Sequence, residues 1–216
     1  MKIKWLGHSC FLITTENGIK ILTDPFDAQV GYPLPSVEAD IVTTSHDHFD
    51  HGYVETVKGS FIHVSDAGSH VECGIHINGV STFHDEVGGK KRGKNVIFVF
   101  EIDGLRLCHC GDLGHLPTDT QKKAIGNIDI MMLPVGGTFT VDAEEACKTI
   151  EILKPAVTIP MHYKTPAMNF PITGVDKFIE EAGLKGHPEV FSKRQEVEIT
   201  RSNLASQPKI LVLEYK

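Results

Sequence analysis

The segment Ser45-His46-Asp47-His48-Phe49-Asp50-His51 limits what this chain can be more than any other stretch. It follows Asp40–Thr44, a short apolar run that reads as a buried strand. Four side chains of ligand type, His46, His48, Asp50 and His51, therefore occupy one loop at a strand end. Imidazole and carboxylate together suit zinc, manganese or iron. Two histidines one residue apart can clasp one ion while the adjacent Asp-His pair turns to a second. Two ions roughly 3.5–4 Å apart can then share a hydroxide. The alternative is a polar surface loop with histidines placed by chance, and the spacing speaks against it.

The remaining pattern places that loop in a mixed fold. Lys2–Leu6 and Cys10–Thr14 read as strands around Gly7-His8-Ser9, and Asn17-Gly18 signals a hairpin turn into Ile19–Thr23. Gly52–Lys58 reads as a short helix, and Ser60–Val64, His70–Ile77 and Val80–His84 as strands. Asn95–Ile102 and Leu105–His109 form a hairpin around Asp103-Gly104. Helices are predicted at Thr118–Ile125, from Asp142 as N-cap through Leu153, and at Gly174–Ala182, with strands at Asp129–Leu133, Ala156–Ile159 and Lys209–Tyr215. Strands first, then strands alternating with helices, suggest two sheets packed face to face with helices outside. The expected class is α/β (α+β). The chain reads as a single domain over residues 1–216, in two pseudo-symmetric halves that meet near 105–115.

Composition narrows the partners. A net charge of −7 disfavours a general nucleic-acid binder. The dense basic run Lys90-Lys91-Arg92-Gly93-Lys94 reads as a solvated hairpin tip, with a phosphate-binding loop as the alternative. Five cysteines without a signal peptide fit reduced thiols in a cytoplasm, and no apolar stretch approaches the roughly 18 residues of a membrane helix. Cys108 and Cys110 lack the second cysteine pair of a zinc knuckle and read as core, as do Cys10 and Cys147. A small-molecule substrate is expected, and a homo-oligomer is left open.

The loop from Thr43 to His51 resembles the signature of the metallo-β-lactamase superfamily, His-any-His-any-Asp-His. Other signatures follow in order: Asp24 closing an early strand, His84 in Ser81-Thr82-Phe83-His84, Asp112 in His109-Cys110-Gly111-Asp112 and His162 in Pro160-Met161-His162-Tyr163. The opening Trp5-Leu6-Gly7-His8-Ser9-Cys10-Phe11 and the segment His109–His115 are similar to the small metal-dependent hydrolase branch that holds L-ascorbate-6-phosphate lactonase. The phospholipase-D-type N-acylphosphatidylethanolamine hydrolases share a related opening. This chain has no obvious insertion that would supply an elaborate substrate cap.

The resemblance implies a four-layer αββα sandwich with metals at the mouth between the sheets. It implies His46, His48 and His84 on a first metal, Asp50, His51 and His162 on a second, and Asp112 bridging both. Two divalent ions are expected, zinc first, with manganese or iron as alternatives. A metal-bound water ionises near neutral pH, so no catalytic serine is needed. Asp24 either holds a ligand histidine in its tautomer or caps the Asp-Pro turn. His8 either contacts substrate or closes a turn, and His115 is placed at the mouth. With Asp50 and Asp112 these form the expected catalytic set, Asp50 or a mouth histidine protonating the leaving group. His109 reads as buried support, and Tyr163 and Lys164 as grips for an anionic substrate group or as solvated rim. His63, His70, His76 and His187 read as structural or exposed.

The function expected is hydrolysis of an ester-type bond, in a lactone, carboxylic ester or phosphodiester of a small anionic substrate. Phosphodiesterase or ribonuclease activity and a non-catalytic metal-dependent binding protein are the alternatives. Di-iron redox chemistry is disfavoured, because relatives of that kind typically carry glutamate where this chain has His48. A true β-lactamase is disfavoured by Asp112 and by the missing export signal.

Overall fold

The computed structural model describes residues 1–186, 189–191 and 194–215, so His187 lies outside the described residues. Two sheets face each other. The first holds β1 (Lys2–Gly7), β2 (Cys10–Thr14), β3 (Lys20–Thr23), β4 (Ile41–Thr43) and β5 (Ile62–Val64), with β13 (Glu196–Glu198) joining the β1 edge. The second holds β6 (Gly68–Glu72), β7 (Ile75–Phe83), β8 (Lys94–Ile102), β9 (Leu105–His109), β10 (Ile130–Pro134) and β11 (Val157–Met161). Beyond β11 lie β14 (Ile210–Val212) and β12 (Glu189–Phe191).

Alternation along the first sheet explains its burial on both faces. Phe11, Ile13, Ile21 and Ile41 pack into the core between the sheets. Cys10, Leu22 and Val42 point the other way, under Phe26, Val30, Tyr32 and Met168. At about 25 cal/mol per Å² of apolar surface, such double burial is the dominant favourable term holding the sheet. β10 and β11 are buried at every position, as expected of parallel strands covered on both sides.

The helices are few. α1 (Asp119–Ile125) carries a capping box between Thr118 and Gln121, and α2 (Ala143–Leu153) one between Asp142 and Glu145. α3 (Val175–Leu184) packs on α2. The outer layer expected over the first sheet contains no α-helix among the described residues. Single 3₁₀ turns at Ala28–Val30 and Val54–Thr56 and the loops around them take that place. The helix expected over Gly52–Lys58 is thus one 3₁₀ turn. The single strand expected over His70–Ile77 is a hairpin, because Cys73 and Gly74 take φ of 50° and 80° and reverse the chain between Glu72 and Ile75. Two positive φ values match the twist of the flanking strands. The chain passes from the first sheet to the second at Val64–Gly68, returns to the first at β13 and to the second at β14.

One end of the sandwich collects the carboxyl ends of strands. His8 follows β1, Asp24 follows β3, His46–His51 follow β4, His84 follows β7, Asp112 follows β9 and His162 follows β11. That rim is where open parallel sheets hold their ligands.

Candidate metal centre

The segments that carry the site are held by local backbone devices. His8, Asp24 and His162 take left-handed φ of 53°, 41° and 52°, a conformation that costs a non-glycine residue about 1–2 kcal/mol and persists where surroundings enforce it. The His8 carbonyl accepts from the His162 amide at 3.2 Å and from Trp5 Nε1 at 3.0 Å. Gly111, at φ 54°, turns the chain into Asp112 where a Cβ would lie 2.4 Å from Asn95 Oδ1 and Ser45 Cβ. Asn95, fully buried, accepts from the Asp112 amide at 2.9 Å and donates to the Cys110 carbonyl at 3.0 Å and to Thr82 Oγ1 at 2.8 Å.

The seven expected ligands come together. His46, His48 and His84 form one group with ligand atoms within 4.8 Å of one another; Asp50, His51 and His162 form a second, which His8 joins. Asp112 lies between them. Its Oδ2 is 3.1 Å from His84 Nε2, 3.4 Å from His162 Nε2 and 3.9 Å from His46 Nε2, and its Oδ1 is 3.1 Å from His51 Nε2.

Asp24 stands behind the cluster, fully buried. Its Oδ1 accepts from the Ser45 amide at 2.7 Å, and its Oδ2 accepts from Ser45 Oγ at 2.6 Å and from His51 Nδ1 at 2.7 Å. Ser45 Oγ, having donated to Asp24, accepts from His46 Nδ1 at 3.0 Å. One carboxylate thus places the protons of two imidazoles on Nδ1, directly for His51 and through Ser45 for His46. Both Nε2 atoms face the cluster. His109 is buried support: Nε2 donates to the Ser9 carbonyl at 2.8 Å and Nδ1 accepts from the Gly111 amide at 3.3 Å.

Charge follows from this crowding. Burial alone would raise the Asp112 carboxyl, but His162 and His51 hold it well below the usual range. Burial likewise works against Asp24, and His109, His51 and Ser45 overcome it and lower the group. Burial would lower His51, yet Asp112, Asp50 and Asp24 raise it well above 6.5. Burial and His51 lower His46 to about 3, and burial and His162 lower His8 to about 4. Asp50 is held ionised by His51 and by His8, whose Nε2 is 3.3 Å from Oδ2, despite its burial.

A metal pair fits these residues on their own evidence. His46 Nε2 is buried without a hydrogen-bond partner, a state that polar atoms in a folded interior rarely keep, and His51 Nε2 and Asp112 Oδ1 meet only each other, at 3.1 Å. All three belong to one group of mutually close ligand atoms. Nitrogen and carboxylate donors around an ionised Asp112 form a cation site rather than an anion site.

A cavity of about 600 Å³ opens onto His48, Asp50, His84, Asp112 and His162. Its outer wall is Asp47, Phe49, Phe139, Phe170, Pro171 and Arg92. Four residues expected at the mouth or on the substrate, His8, His115, Tyr163 and Lys164, are not among those that line it. His115 turns aside: Nε2 accepts from the Phe83 amide at 3.2 Å and Nδ1 pairs with the Leu116 carbonyl at 2.9 Å. Tyr163 is buried against Trp5 at 5.2 Å on the far side of the strand end, and Lys164 Nζ donates to the Phe170 carbonyl at 3.0 Å. Cys10, Cys108, Cys110 and Cys147 are buried and free. His63 and His76 are exposed and His70 half-buried, away from the cluster.

Sequence reasoning missed Ser45, Asn95 and Asp85, and named Arg92 only as one member of a basic run. Asp85 organises the loop that presents Arg92. Its Oδ1 accepts from the amides of Val87 and Gly89 and its Oδ2 from those of Lys91 and Arg92, all at 2.8–2.9 Å. Of the basic run only Arg92 reaches the cavity; Lys90, Lys91 and Lys94 are exposed.

Known proteins are similar to this chain in sequence and fold. A Thermotoga maritima structure, assigned as a Zn-dependent hydrolase of the metallo-β-lactamase superfamily, is 40% identical. It superposes with a TM-score of 0.80 over 98% of this chain and 97% of its own. A metal-dependent hydrolase of Pyrococcus abyssi is 31% identical over 195 residues, spanning 76% of this chain and 85% of its own. The isothiocyanate hydrolase from Delia radicum gut bacteria shares the fold at 15% identity, with a TM-score of 0.72 over 100% of this chain and 97% of its own. The family model of the β-lactamase superfamily domain matches residues 2–162, from β1 to the last histidine of the cluster. With that match and these relatives, the chain belongs to the metallo-β-lactamase superfamily.

Proposed function

We propose that this chain is a cytoplasmic metal-dependent hydrolase that cleaves an ester-type bond, in a lactone, carboxylic ester or phosphodiester, of a small anionic substrate. The observation that carries the reading is Asp112, whose two oxygens meet histidines of both groups at one end of an open cavity. Its relatives are named metal-dependent hydrolases. Bound divalent cations, zinc first with manganese or iron as alternatives, supply Lewis acidity and a water acidified toward neutral pH.

The chain's own residues do the rest. His46, His48 and His84 would hold one cation and Asp50, His51 and His162 the other, with Asp112 shared between them. Asp24 and Ser45 keep His46 and His51 in the tautomer that leaves Nε2 free. His8, fully buried and absent from the cavity wall, acts as a positioning residue for Asp50. Phe49, Phe139 and Phe170 exclude water from one side of the bound substrate.

A panel of lactones, carboxylic esters and phosphodiesters, offered to zinc- and manganese-loaded protein with and without chelator, tests the reading. Turnover should vanish with chelator and fall at least about a hundredfold in Asp112→Ala. Turnover that survives unchanged in Asp112→Ala rejects it.

A further inference from the structure

We infer that Arg92 is the anion-recognising residue of the substrate cavity, and that the substrate joins one carboxylate to an apolar body. The inference rests on the hydrolase reading above and narrows its substrate class.

Arg92 is half-buried in the cavity wall. No carboxylate pairs with its guanidinium among the described residues, although the chain has 28 acidic side chains against 21 Lys and Arg. Its Nη2 donates to the Thr138 carbonyl at 3.0 Å, and the guanidinium carbon lies 5.5 Å above the Phe139 ring. Those contacts fix the head group and leave its other N–H donors without protein acceptors among the described residues. A half-buried guanidinium with free donors is suited to an anion in the fork geometry of a carboxylate.

The loop carrying Arg92 is built rather than loose. Asp85, buried at 1% exposure, ties four of its amides, including that of Arg92 itself. A solvated hairpin tip needs no such cage. Among the described residues Arg92 is the single Lys or Arg side chain on a wall that also carries the acidic Asp47, so the wall matches a singly charged group better than a phosphate dianion. The three phenylalanines and Pro171 beside it offer only apolar surface, which sets the rest of the substrate.

Ligand binding tests this without requiring turnover. The probes are the monohydroxamates of glutaric, adipic and suberic acids, each with its methyl ester, titrated calorimetrically into zinc-loaded full-length protein. The hydroxamate end anchors at the metals in every probe, and only the far end differs. At the best chain length the acid should bind about tenfold tighter than its ester, in keeping with a charge-assisted hydrogen bond. In Arg92→Met that preference should disappear while the ester binds as before. Arg92→Lys should retain part of it. A preference absent at every length in the wild type, or preserved in Arg92→Met, overturns the inference. Equal loss of acid and ester in Arg92→Met makes Arg92 a strut between loops and also overturns it. Failure of every hydroxamate to bind the zinc-loaded protein instead overturns the metal-site reading, and with it the inference.

Discussion

Replacing Asp24 with asparagine keeps the shape of the side chain and exchanges one acceptor for a donor. Oδ2 accepts two protons, from Ser45 Oγ and His51 Nδ1. An amide nitrogen there would push the His51 proton onto Nε2, the atom that faces Asp112 at 3.1 Å. The Ser45 hydroxyl would reverse as well, and the His46 proton would follow. One substitution therefore spoils a ligand in each metal group. Loss of a supporting contact of this kind weakens metal binding about 10–100-fold, or about 1–3 kcal/mol, per ion. In the metal-free protein His51 is held charged by Asp112, Asp50 and Asp24, so the variant also loses one buried counter-charge. That costs about 3 kcal/mol, the lower end for a broken buried pair because two carboxylates remain. The melting temperature in chelator should fall by about 6–12 °C for a domain of this size. Competition against a chromophoric chelator gives the two affinities, and calorimetry in chelator gives the melting point. Ser45→Ala separates the branches, weakening the group containing His46 alone. Asp24→Asn protein that binds both ions with native affinity and melts normally would refute the tautomer argument.

Two further outcomes follow from the site. In metal-free protein, His8 and His46 are lowered from 6.5 to about 4 and about 3, while His51 is raised. Below pH 6.5 the unfolded chain takes up protons that buried His8 and His46 refuse, so stability falls with acid, by about 3 kcal/mol for His8 alone by pH 4. The contribution of His51 has the opposite sign: it is fully present below 6.5 and is lost as pH rises toward its folded value. Denaturant midpoints in chelator should therefore peak near pH 6.5, and a flat profile between about pH 5 and 9 contradicts this. Gly111→Ala should destabilise by about 2–5 kcal/mol, the sum of a left-handed backbone and an overpacked wall. Its new methyl would sit 2.4 Å from Asn95 Oδ1, so metal affinity should fall with stability, and a drop in denaturant midpoint alone would clear Asn95 of its role in placing Asp112.

The metal loop was legible because ligation demands particular residue types, and few arrangements other than a metal site explain His46, His48, Asp50 and His51 together. The partners Ser45, Asn95 and Asp85 were not, since their importance comes from contacts such as Asn95 to Asp112, 17 residues apart. His115 was misplaced because nearness to Asp112 in the chain says nothing about direction. Gly114 packs against the His84 backbone, where a Cβ would lie 2.3 Å from its carbonyl carbon, and the chain leaves the mouth there. Tyr163 and Lys164 follow a residue whose backbone is left-handed, so neither the period of a strand nor that of a helix predicted their facing. β13, three residues reading Glu-Val-Glu, has no apolar signal; its partner β1 defines it.

The loops at the mouth are laced to one another. Arg92 reaches the Thr138 carbonyl, Thr138 Oγ1 reaches the Pro171 carbonyl at 2.9 Å, and Lys164 holds the carbonyl of Phe170. Three segments remote in the chain thereby form a single collar around the entrance. An insertion or exchange in any one of them would reset the aperture for all three. A lineage changing its substrate could then do so through one loop at a time, leaving the histidines beneath untouched.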